Sequence, residues 1–365
     1  MKIAMIGQKG VPATYGGVER HVEELSRRLV QRGHEISVYS RMYYTAVRGR
    51  HHGVRILRLP SVNTKHLDAA THCLISTVDS LFRNFDVVHF HALGPSLLSF
   101  LPRLRGTGTV VTVHGLDWQR EKWGPPVRWF LRQCEYPAVA FPDRTIVVSR
   151  DLQKHFKERF RRQTTVIPNG TNVPVPRPAS KILKFGLEPD KYVLFVGRLV
   201  PEKGVHLLVE AFRRIPGDMK LAIAGGSSFS EDYVSKLMEY RSDRILLLDY
   251  VFGDVLEELW SNAHFVVQPS TMEGLSISLI EAMSYGKCVL TSDIPANMEV
   301  VEDCAVPFQS NNVEDLEGKL RHLLGHPEVV HSFEEKCRTH VVNRFSWDRI
   351  VDQTESLYRE VARRR

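Results

Sequence analysis

Cysteine is scarce and widely scattered in this sequence. Cys73, Cys134, Cys288, Cys304 and Cys337 are its five, and no Cys-x-x-Cys pair occurs. An odd, dispersed set argues against a disulfide framework and against cysteine-bound metal, and points to reduced thiols in a cytoplasmic enzyme. Long apolar runs are also missing: none approaches the ~20 residues a helix needs to cross a bilayer. The opening "MKIAMIGQKG" meets glycine at Gly7 after a short apolar burst. A secretory signal has a longer apolar core and a small-residue cleavage site, so this start reads as a first β-strand. Internal repeats and low-complexity tracts are absent as well.

At 365 residues the chain exceeds what one core usually organises, and two domains of roughly 150–200 residues are expected. Hydrophobic residues at 43% and charged residues at 25% fit an ordinary globular chain rather than a disordered or fibrous one. The formal net charge of +7 is unevenly spread. Residues 1–175 hold 26 Lys and Arg against 13 Asp and Glu, a balance of +13; residues 176–365 hold 23 against 29, a balance of −6. The basic half is compatible with nucleic acid, an anionic membrane surface, a phosphorylated substrate, or plain solvent. Its positive charges are not gathered in an arm or a recognition helix, so no nucleic-acid partner is expected.

The first half alternates short β-branched runs with helical periodicity. "KIAMIG", "HEISVYSR", "VRILRLP", "FDVVHFHA", "GTVVTVHG" and "RTIVVSR" read as strands. "GVERHVEELSRRLVQRG" reads as an amphipathic helix ending at Gly33, and helices are expected at 74–83 and 126–140. This order implies parallel β-α-β units. The pattern stops at "VIPNGTNVPVPRPAS", whose four prolines and Asn-Gly mark a linker. A second series follows, with strands "YVLFVGRL", "MKLAIAGG", "RILLLDYV", "HFVVQPS" and "CVLTSD" and helices "GVHLLVEAFRRI" and "SISLIEAMSYG". The reading is α/β throughout: two Rossmann-like doubly wound domains, 1–172 and 173–345. A final helix, 346–365, ends in three arginines that match the basic half, and is expected to pack back on the N-terminal domain.

Three stretches carry chemistry. "GQKGVPATYGGVERHVEEL" places Gly7, Gly10, Gly16 and Gly17 between a strand and a helix. Glycines allow close backbone approach, and a helix N-terminus offers free N–H groups. The Gly-x-Gly-x-x-Gly dinucleotide fingerprint is absent, and glycine-rich loops after a first strand are common, so this loop alone decides nothing. In "VGRLVPEKGVHLLVEAF", Arg198 and Lys203 fall between a strand and a helix, at the sheet edge where α/β proteins bind ligands. Two cations there suit a diphosphate, although ordinary surface charges would look the same. In "PSTMEGLSISLIEAMSYGKCVL", Glu273 precedes a helix and Glu281 lies about one turn into it. With the amides of Gly274, Leu275 and Ser276 they can bind a polyol and an anion together. Two solvent-facing acids are the plain alternative, and "LIEAM" is a poor setting for one.

Taken in order, "YGGVERHVEELS", "VGRLVPEKG" and the E-x7-E element "EGLSISLIE" resemble the retaining glycosyltransferases of family 4, which have the GT-B fold. The likeness spans nearly the whole chain. The opening loop resembles bacterial members that build capsule, exopolysaccharide or lipopolysaccharide. The resemblance implies two domains facing across a cleft, the first binding acceptor and the second nucleotide sugar, with the last helix crossing back. It also implies roles. Arg198 and Lys203 would hold the donor diphosphate and steady the leaving nucleoside diphosphate. Glu281 would contact the ribose, and Glu273, with Gly274, Leu275 and Ser276 beside it, the donor sugar. Gly16 and Gly17 would let the first loop close over the phosphates. His114, in "VTVHGLDW", would lie near the reacting sugar as a catalytic group, with Asp117 and Trp118 on the acceptor side and His91 as a wall residue.

That likeness implies transfer of a sugar, with retention, from a UDP- or GDP-linked donor to a glycan or lipid-diphosphate-linked acceptor. No two aspartates stand two residues apart, so the Asp-x-Asp cation site of many transferases of the other major fold is missing. No metal and no cofactor is expected, and leaving-group charge falls to Arg198, Lys203 and helix-end amides. A double displacement needs a carboxylate beneath the anomeric carbon. With Glu273 on sugar hydroxyls, same-face attack is expected instead. A nucleotide-sugar epimerase of the same fold is the alternative, opposed by the complete E-x7-E and "GRLVPEKG" set. The stretch "DWQREKWGPPVRWFLRQCEYPAVAF" mixes basic residues with Trp118, Trp123, Trp129 and Phe130. It suits an anionic membrane surface, or else helix packing. A cytoplasmic protein peripheral to the inner face of the plasma membrane is the expectation.

Overall fold

The structure, a computed structural model, describes residues 1–14, 16–64, 67–119, 123–228 and 230–362. Its contacts divide the chain into two units, Met1–Gly170 with Trp347–Arg365, and Thr171–Ser346. No helix among the described residues is long and apolar enough to cross a membrane.

The first unit holds β1 (Lys2–Ile6), β2 (Glu35–Arg41), β3 (Gly49–His51), β4 (Val54–Leu59), β5 (Val87–His91), β6 (Gly108–Val113), β7 (Arg144–Val147) and β8 (Thr165–Val166). They form one sheet in the order β3-β4-β2-β1-β5-β6-β7-β8. It is parallel except for β3, which pairs antiparallel with β4. Strands covered on both faces read as continuous apolar runs. Ile3, Ala4, Met5 and Ile6 of β1 are accordingly fully buried. The helices are α1 (Gly17–Gln31), α2 (Leu67–Leu81), α3 (Leu93–Ser96), α4 (Phe100–Leu104), α5 (Pro125–Gln133), α6 (Glu135–Ala140) and α7 (Arg150–Phe160). The helix expected from position 74 begins seven residues earlier. The one expected over 126–140 is two, because Pro137 has no N–H for the carbonyl four residues before it and the helix restarts there. Helix α7 escaped the sequence reading, although Ser149 caps it by accepting from the Leu152 amide.

The second unit holds β9 (Tyr192–Val196), β10 (Lys220–Ala224), β11 (Ile245–Leu247), β12 (Phe265–Gln268), β13 (Val289–Ser292) and β14 (Val306–Phe308). Their order is β11-β10-β9-β12-β13-β14, all parallel. Its helices are α8 (Val205–Arg213), α9 (Glu231–Met238), α10 (Asp254–Asn262), α11 (Ile277–Ser284), α12 (Pro295–Val301), α13 (Val313–Gly325), α14 (Pro327–Ser332) and α15 (Glu334–Phe345). Val193, Phe195, Leu208, Phe212, Val267 and Leu290 anchor its core. Both sheets reverse their winding once, between β1 and β5 and between β9 and β12. Loops leaving the two strands at such a point diverge, opening a crevice at their carboxyl ends.

The last helix, α16 (Trp347–Ala362), belongs to the first unit. Trp347, Ile350, Val351, Leu357, Tyr358 and Val361 join the apolar cluster that contains Met5 and Leu25. The helix therefore returns as expected. Arg363, Arg364 and Arg365 lie outside the described residues. What the described part offers the basic half is acid. Arg32 Nη1 lies 2.5 Å from Asp352 Oδ1 and 3.0 Å from Glu355 Oε2. His34 Nε2 lies 3.0 Å from Glu355 Oε1, and Arg144 pairs with Glu360.

Candidate active site

In the second unit β9 ends at Val196 and is followed by Gly197 and Arg198, and β12 ends at Gln268 and is followed by Pro269. The β9 loop makes a short turn, Pro201–Lys203, before α8. Gly204 follows with φ +66°, and a Cβ there would sit 2.1 Å from the Pro269 carbonyl oxygen. Only glycine lets the two loops approach so closely. The Thr271 amide then donates to the Glu202 carbonyl at 3.0 Å, tying the loops together.

That closeness brings Lys203 and Glu273 into contact, with Nζ 2.5 Å from Oε1. Glu273 Oε1 also accepts from Ser270 Oγ at 2.7 Å and from Gln268 Nε2 at 3.0 Å. The Lys203 and Glu273 side chains are only 13% and 10% exposed. Burial pushes the Glu273 carboxyl up, but the Lys203 charge and the bonds from Lys203, Ser270 and Gln268 outweigh it and hold the group below its ordinary value. Glu273 is thus a fixed anion at neutral pH. Gln268 and Ser270 were not foreseen. The one signal was a glutamine closing the apolar strand "HFVVQ", where the chain must have a buried partner for it.

Gly274, Leu275 and Ser276 lead into α11, whose first-turn N–H groups have no intrahelical acceptor. Ser276 occupies the N-cap, 1% exposed, and its hydroxyl has no hydrogen-bond partner among the described residues. Farther along α11, Glu281 is half-buried while Leu279, Ile280, Ala282 and Met283 are fully buried. Arg198, in the loop just after β9, is half-buried. The crevice at β9 and β12 therefore gathers Arg198, Lys203, Glu273 and the start of α11.

In the first unit the glycine loop is more occupied than expected. Gly16 has φ +103°, and a Cβ there would meet the Glu19 carboxylate at 2.1 Å. Glu19 Oε1 accepts from the Lys9 amide at 3.0 Å and Glu23 Oε2 from the Ala13 amide at 2.9 Å. Ser40 Oγ takes the Val11 amide and the Tyr44 hydroxyl the Thr14 amide. Four of the loop's N–H groups are thus satisfied by side chains. Gly16 serves the approach of Glu19, and Gly17 begins α1. Tyr15 lies outside the described residues.

His114, after β6, is half-buried, with Nε2 3.1 Å from His91 Nδ1 on β5. His91 is fully buried, its ring tilted 35° against that of His89 with centroids 4.2 Å apart. His89 is fixed in turn by the Tyr358 hydroxyl at 2.6 Å and Thr112 Oγ1 at 2.7 Å. His21 of α1 completes the group, 5.2 Å from the His114 ring. Burial holds His91 well below its ordinary value, as do the neighbouring imidazoles, so it is neutral. Asp117 and Trp118 share a short turn. The Trp118 indole donates to Glu135 Oε1 at 2.6 Å, and Arg132 covers its ring at 5.2 Å. Glu135 is fully buried and also meets His155 and Arg159. Of the aromatic stretch, Trp118 is built into the framework, while Trp129 and Phe130 are 66% and 47% exposed. Residues 120–122 of that stretch lie outside the described residues.

Both halves match known sequence families. Residues 15–173 match the model described as Glycosyltransferase Family 4, and residues 181–340 that described as Glycosyl transferases group 1. The chain is a glycosyltransferase of the GT-B fold. This glycosyltransferase is 27% identical to alpha-maltose-1-phosphate synthase of Mycolicibacterium smegmatis, over 99% of its own chain and 100% of the other. Its structure resembles sucrose-phosphate synthase of Thermosynechococcus elongatus with a TM-score of 0.84 at 22% identity, covering 99% and 98% of the two chains. It resembles Anabaena HepE in complex with UDP-glucose with a TM-score of 0.82 at 19% identity, covering 98% and 99%.

Proposed function

We propose that this glycosyltransferase takes a sugar from a UDP-linked donor and transfers it, with retention, to a glycan or lipid-diphosphate-linked acceptor in cell-surface polysaccharide biosynthesis. The observation that carries the reading is the Lys203–Glu273 pair beside the start of α11. It sets a fixed anion next to cations and free amides, so one crevice can accept bonds from sugar hydroxyls and neutralise a diphosphate. Arg198, Lys203, the amides of Gly274, Leu275 and Ser276, and the Ser276 hydroxyl take the diphosphate in this scheme. Glu273 holds the sugar and Glu281 the ribose. His114, steadied by His91, serves the acceptor side with Asp117. The UDP-glucose complex of HepE supports a UDP-linked donor. No metal enters the scheme. The glycosidic bond to the diphosphate breaks, the acceptor oxygen bonds on the same face, and the departing phosphate oxygen takes the acceptor proton. The protein works on the cytoplasmic face of the plasma membrane, where a lipid-linked acceptor is presented.

A thermal-shift panel of nucleoside diphosphates and nucleotide sugars tests the donor; UDP species should shift the melt most. With donor and acceptor supplied together in EDTA, NMR of the product should show the donor's anomeric configuration. An inverted product would sink retention, and loss of turnover in EDTA would sink the metal-free scheme. Donor incubated alone should give at most slow hydrolysis; an epimerised sugar would install the epimerase reading instead.

A further inference from the structure

The exit of β12 is held by side chains as well as by its sheet. Its register with β13 runs from Val266 opposite Val289 to Gln268 opposite Thr291. The next residue, Pro269, has no N–H to continue a ladder, and its carbonyl is the one that Gly204 admits. The carbonyls on either side of it are taken by hydroxyls of β13. Thr291 Oγ1 donates to the Gln268 carbonyl at 3.1 Å, and Ser292 Oγ to the Ser270 carbonyl at 2.5 Å. One amide grips both hydroxyls in turn. Asn297, in the first turn of α12, places Nδ2 3.0 Å from Thr291 Oγ1 and 3.0 Å from Ser292 Oγ. The protons account for this order. Each hydroxyl has a single proton, given to a carbonyl, so it accepts from the amide, and the amide has two N–H groups, one for each hydroxyl.

The network leads to Glu273. Gln268 Nε2 and Ser270 Oγ both donate to Glu273 Oε1, and Gln268 Nε2 also reaches Ser270 Oγ at 2.8 Å. Fixing the backbone on both sides of Pro269 therefore fixes the two donors that aim the carboxylate. Gln268, Ser270, Thr291, Ser292 and Asn297 are all fully buried, beside Val267 and Leu290 of the apolar core. Burying five polar side chains there is costly unless their bonds are made. The amide oxygens of Gln268 and Asn297 have no hydrogen-bond partner among the described residues. Both amides are thus used for their N–H groups, and part of their capacity is unmet. Buried polar groups are ordinarily satisfied, and departures from that rule concentrate at functional sites.

We infer that Asn297 is a positioning residue for Glu273: through Thr291 and Ser292 it locks the exit of β12, and so sets how the carboxylate meets the hydroxyls of the donor sugar. Glu273 touches the sugar, and Asn297 acts only through it. For its consequence in donor recognition the inference rests on the proposed role of Glu273; the coupling of Asn297 to Glu273 stands on the geometry. The expected loss is of sugar discrimination and not of nucleotide binding, because the groups proposed for the diphosphate stand on the β9 loop and at the start of α11.

Calorimetry with UDP, UDP-glucose, UDP-galactose and UDP-N-acetylglucosamine tests that consequence. Asn297→Leu and Thr291→Val should each narrow the ratio between the tightest and weakest UDP-sugar about fivefold, the scale of one hydrogen bond. UDP itself should bind within about twofold of wild type. Thr291→Ser restores the hydroxyl and should recover the ratio. Val300→Ala, a buried change on the same helix, should lower the melt and leave the ratio alone. Glu273 is read directly by 13C NMR at glutamate Cδ, its signal assigned with Glu273→Gln. Its titration should move up by about half a pH unit in Asn297→Leu and Thr291→Val, since the donors that favour the anion are loosened. It should stay in place in Val300→Ala. An unmoved Glu273 signal in both network variants, an equal shift in Val300→Ala, or UDP affinity lost in parallel with that for UDP-sugars would overturn the inference. If Glu273→Gln leaves the sugar ratio unchanged, the proposed role of Glu273 fails, and its carboxyl signal still decides whether Asn297 positions it.

Discussion

Lys203 and Glu273, 70 positions apart, meet at 2.5 Å between the loops that leave adjacent strands β9 and β12. Each is thereby more than a surface charge, since the pair is largely shielded from water and Glu273 is held by two further donors. Removing the cation leaves an uncompensated, shielded carboxylate. Lys203→Met is expected to lower the unfolding free energy by about 3 kcal/mol in urea titration. It should also lower kcat/KM for the donor about 10²–10³-fold if the lysine stabilises the leaving group. Near-wild-type kcat/KM would remove Lys203 from the catalytic reading.

Ser276 separates binding from stability. Its buried hydroxyl has no partner among the described residues, so Ser276→Ala should leave the melting temperature unchanged or slightly higher. If that hydroxyl meets the donor phosphate, the same change should weaken UDP binding by about 1 kcal/mol, roughly fivefold, in calorimetry. Equal affinity in the two proteins would mean that the hydroxyl is not part of the donor site.

The histidine group makes stability fall in mild acid. Burial pushes His21 down to about 4, against a smaller opposite pull from Asn169, and burial pushes His89 down to about 3. In the unfolded chain imidazoles titrate near 6.5. Between that value and the folded ones the unfolded state binds more protons, so stability drops as pH falls. The slope is about 1.4 kcal/mol per pH unit for each histidine. The contribution is complete above about pH 6.5 and lost on the way to pH 4. Melting curves should therefore be flat above pH 7 and fall steeply below pH 6. A midpoint constant down to pH 4.5 would contradict the buried neutral cluster.

Tyr358 joins α16 to that cluster through its hydroxyl on His89 Nδ1 at 2.6 Å. Tyr358→Phe should cost about 1–3 kcal/mol, because it strands a buried imidazole nitrogen. The far-UV spectrum should stay native, and a loss under 0.5 kcal/mol in urea titration would show that His89 finds another partner.

Much of the fold was legible because strands buried on both faces betray themselves as apolar runs, and the alternation with helices follows. The boundaries of α2 and the split at Cys134 were not, since they turn on where tertiary contacts extend a helix and where Pro137 withholds one N–H. Arg198 and Lys203 stood out as paired cations at a sheet edge, and Glu273 and Glu281 as acids in a largely apolar stretch. Gln268 and Ser270 did not, because a polar residue ending a strand is ordinary until its partner is known. The occupants of the glycine loop were not legible either: four of its amides are taken by Glu19, Glu23, Ser40 and Tyr44, partners that only the folded chain brings to it.

The sequence by itself determined the class of protein, two parallel α/β units and a charged, glycine-bearing edge on each, because periodicity and composition are local properties. Only the tertiary structure decided which charges pair and which faces are left over. Lys203 meets Glu273 through a glycine that admits a carbonyl, α16 returns on its acids and apolar stripe, and α2 turns its larger side chains outward. Those outcomes depend on distances between residues far apart in the chain, and periodicity along the chain does not record them.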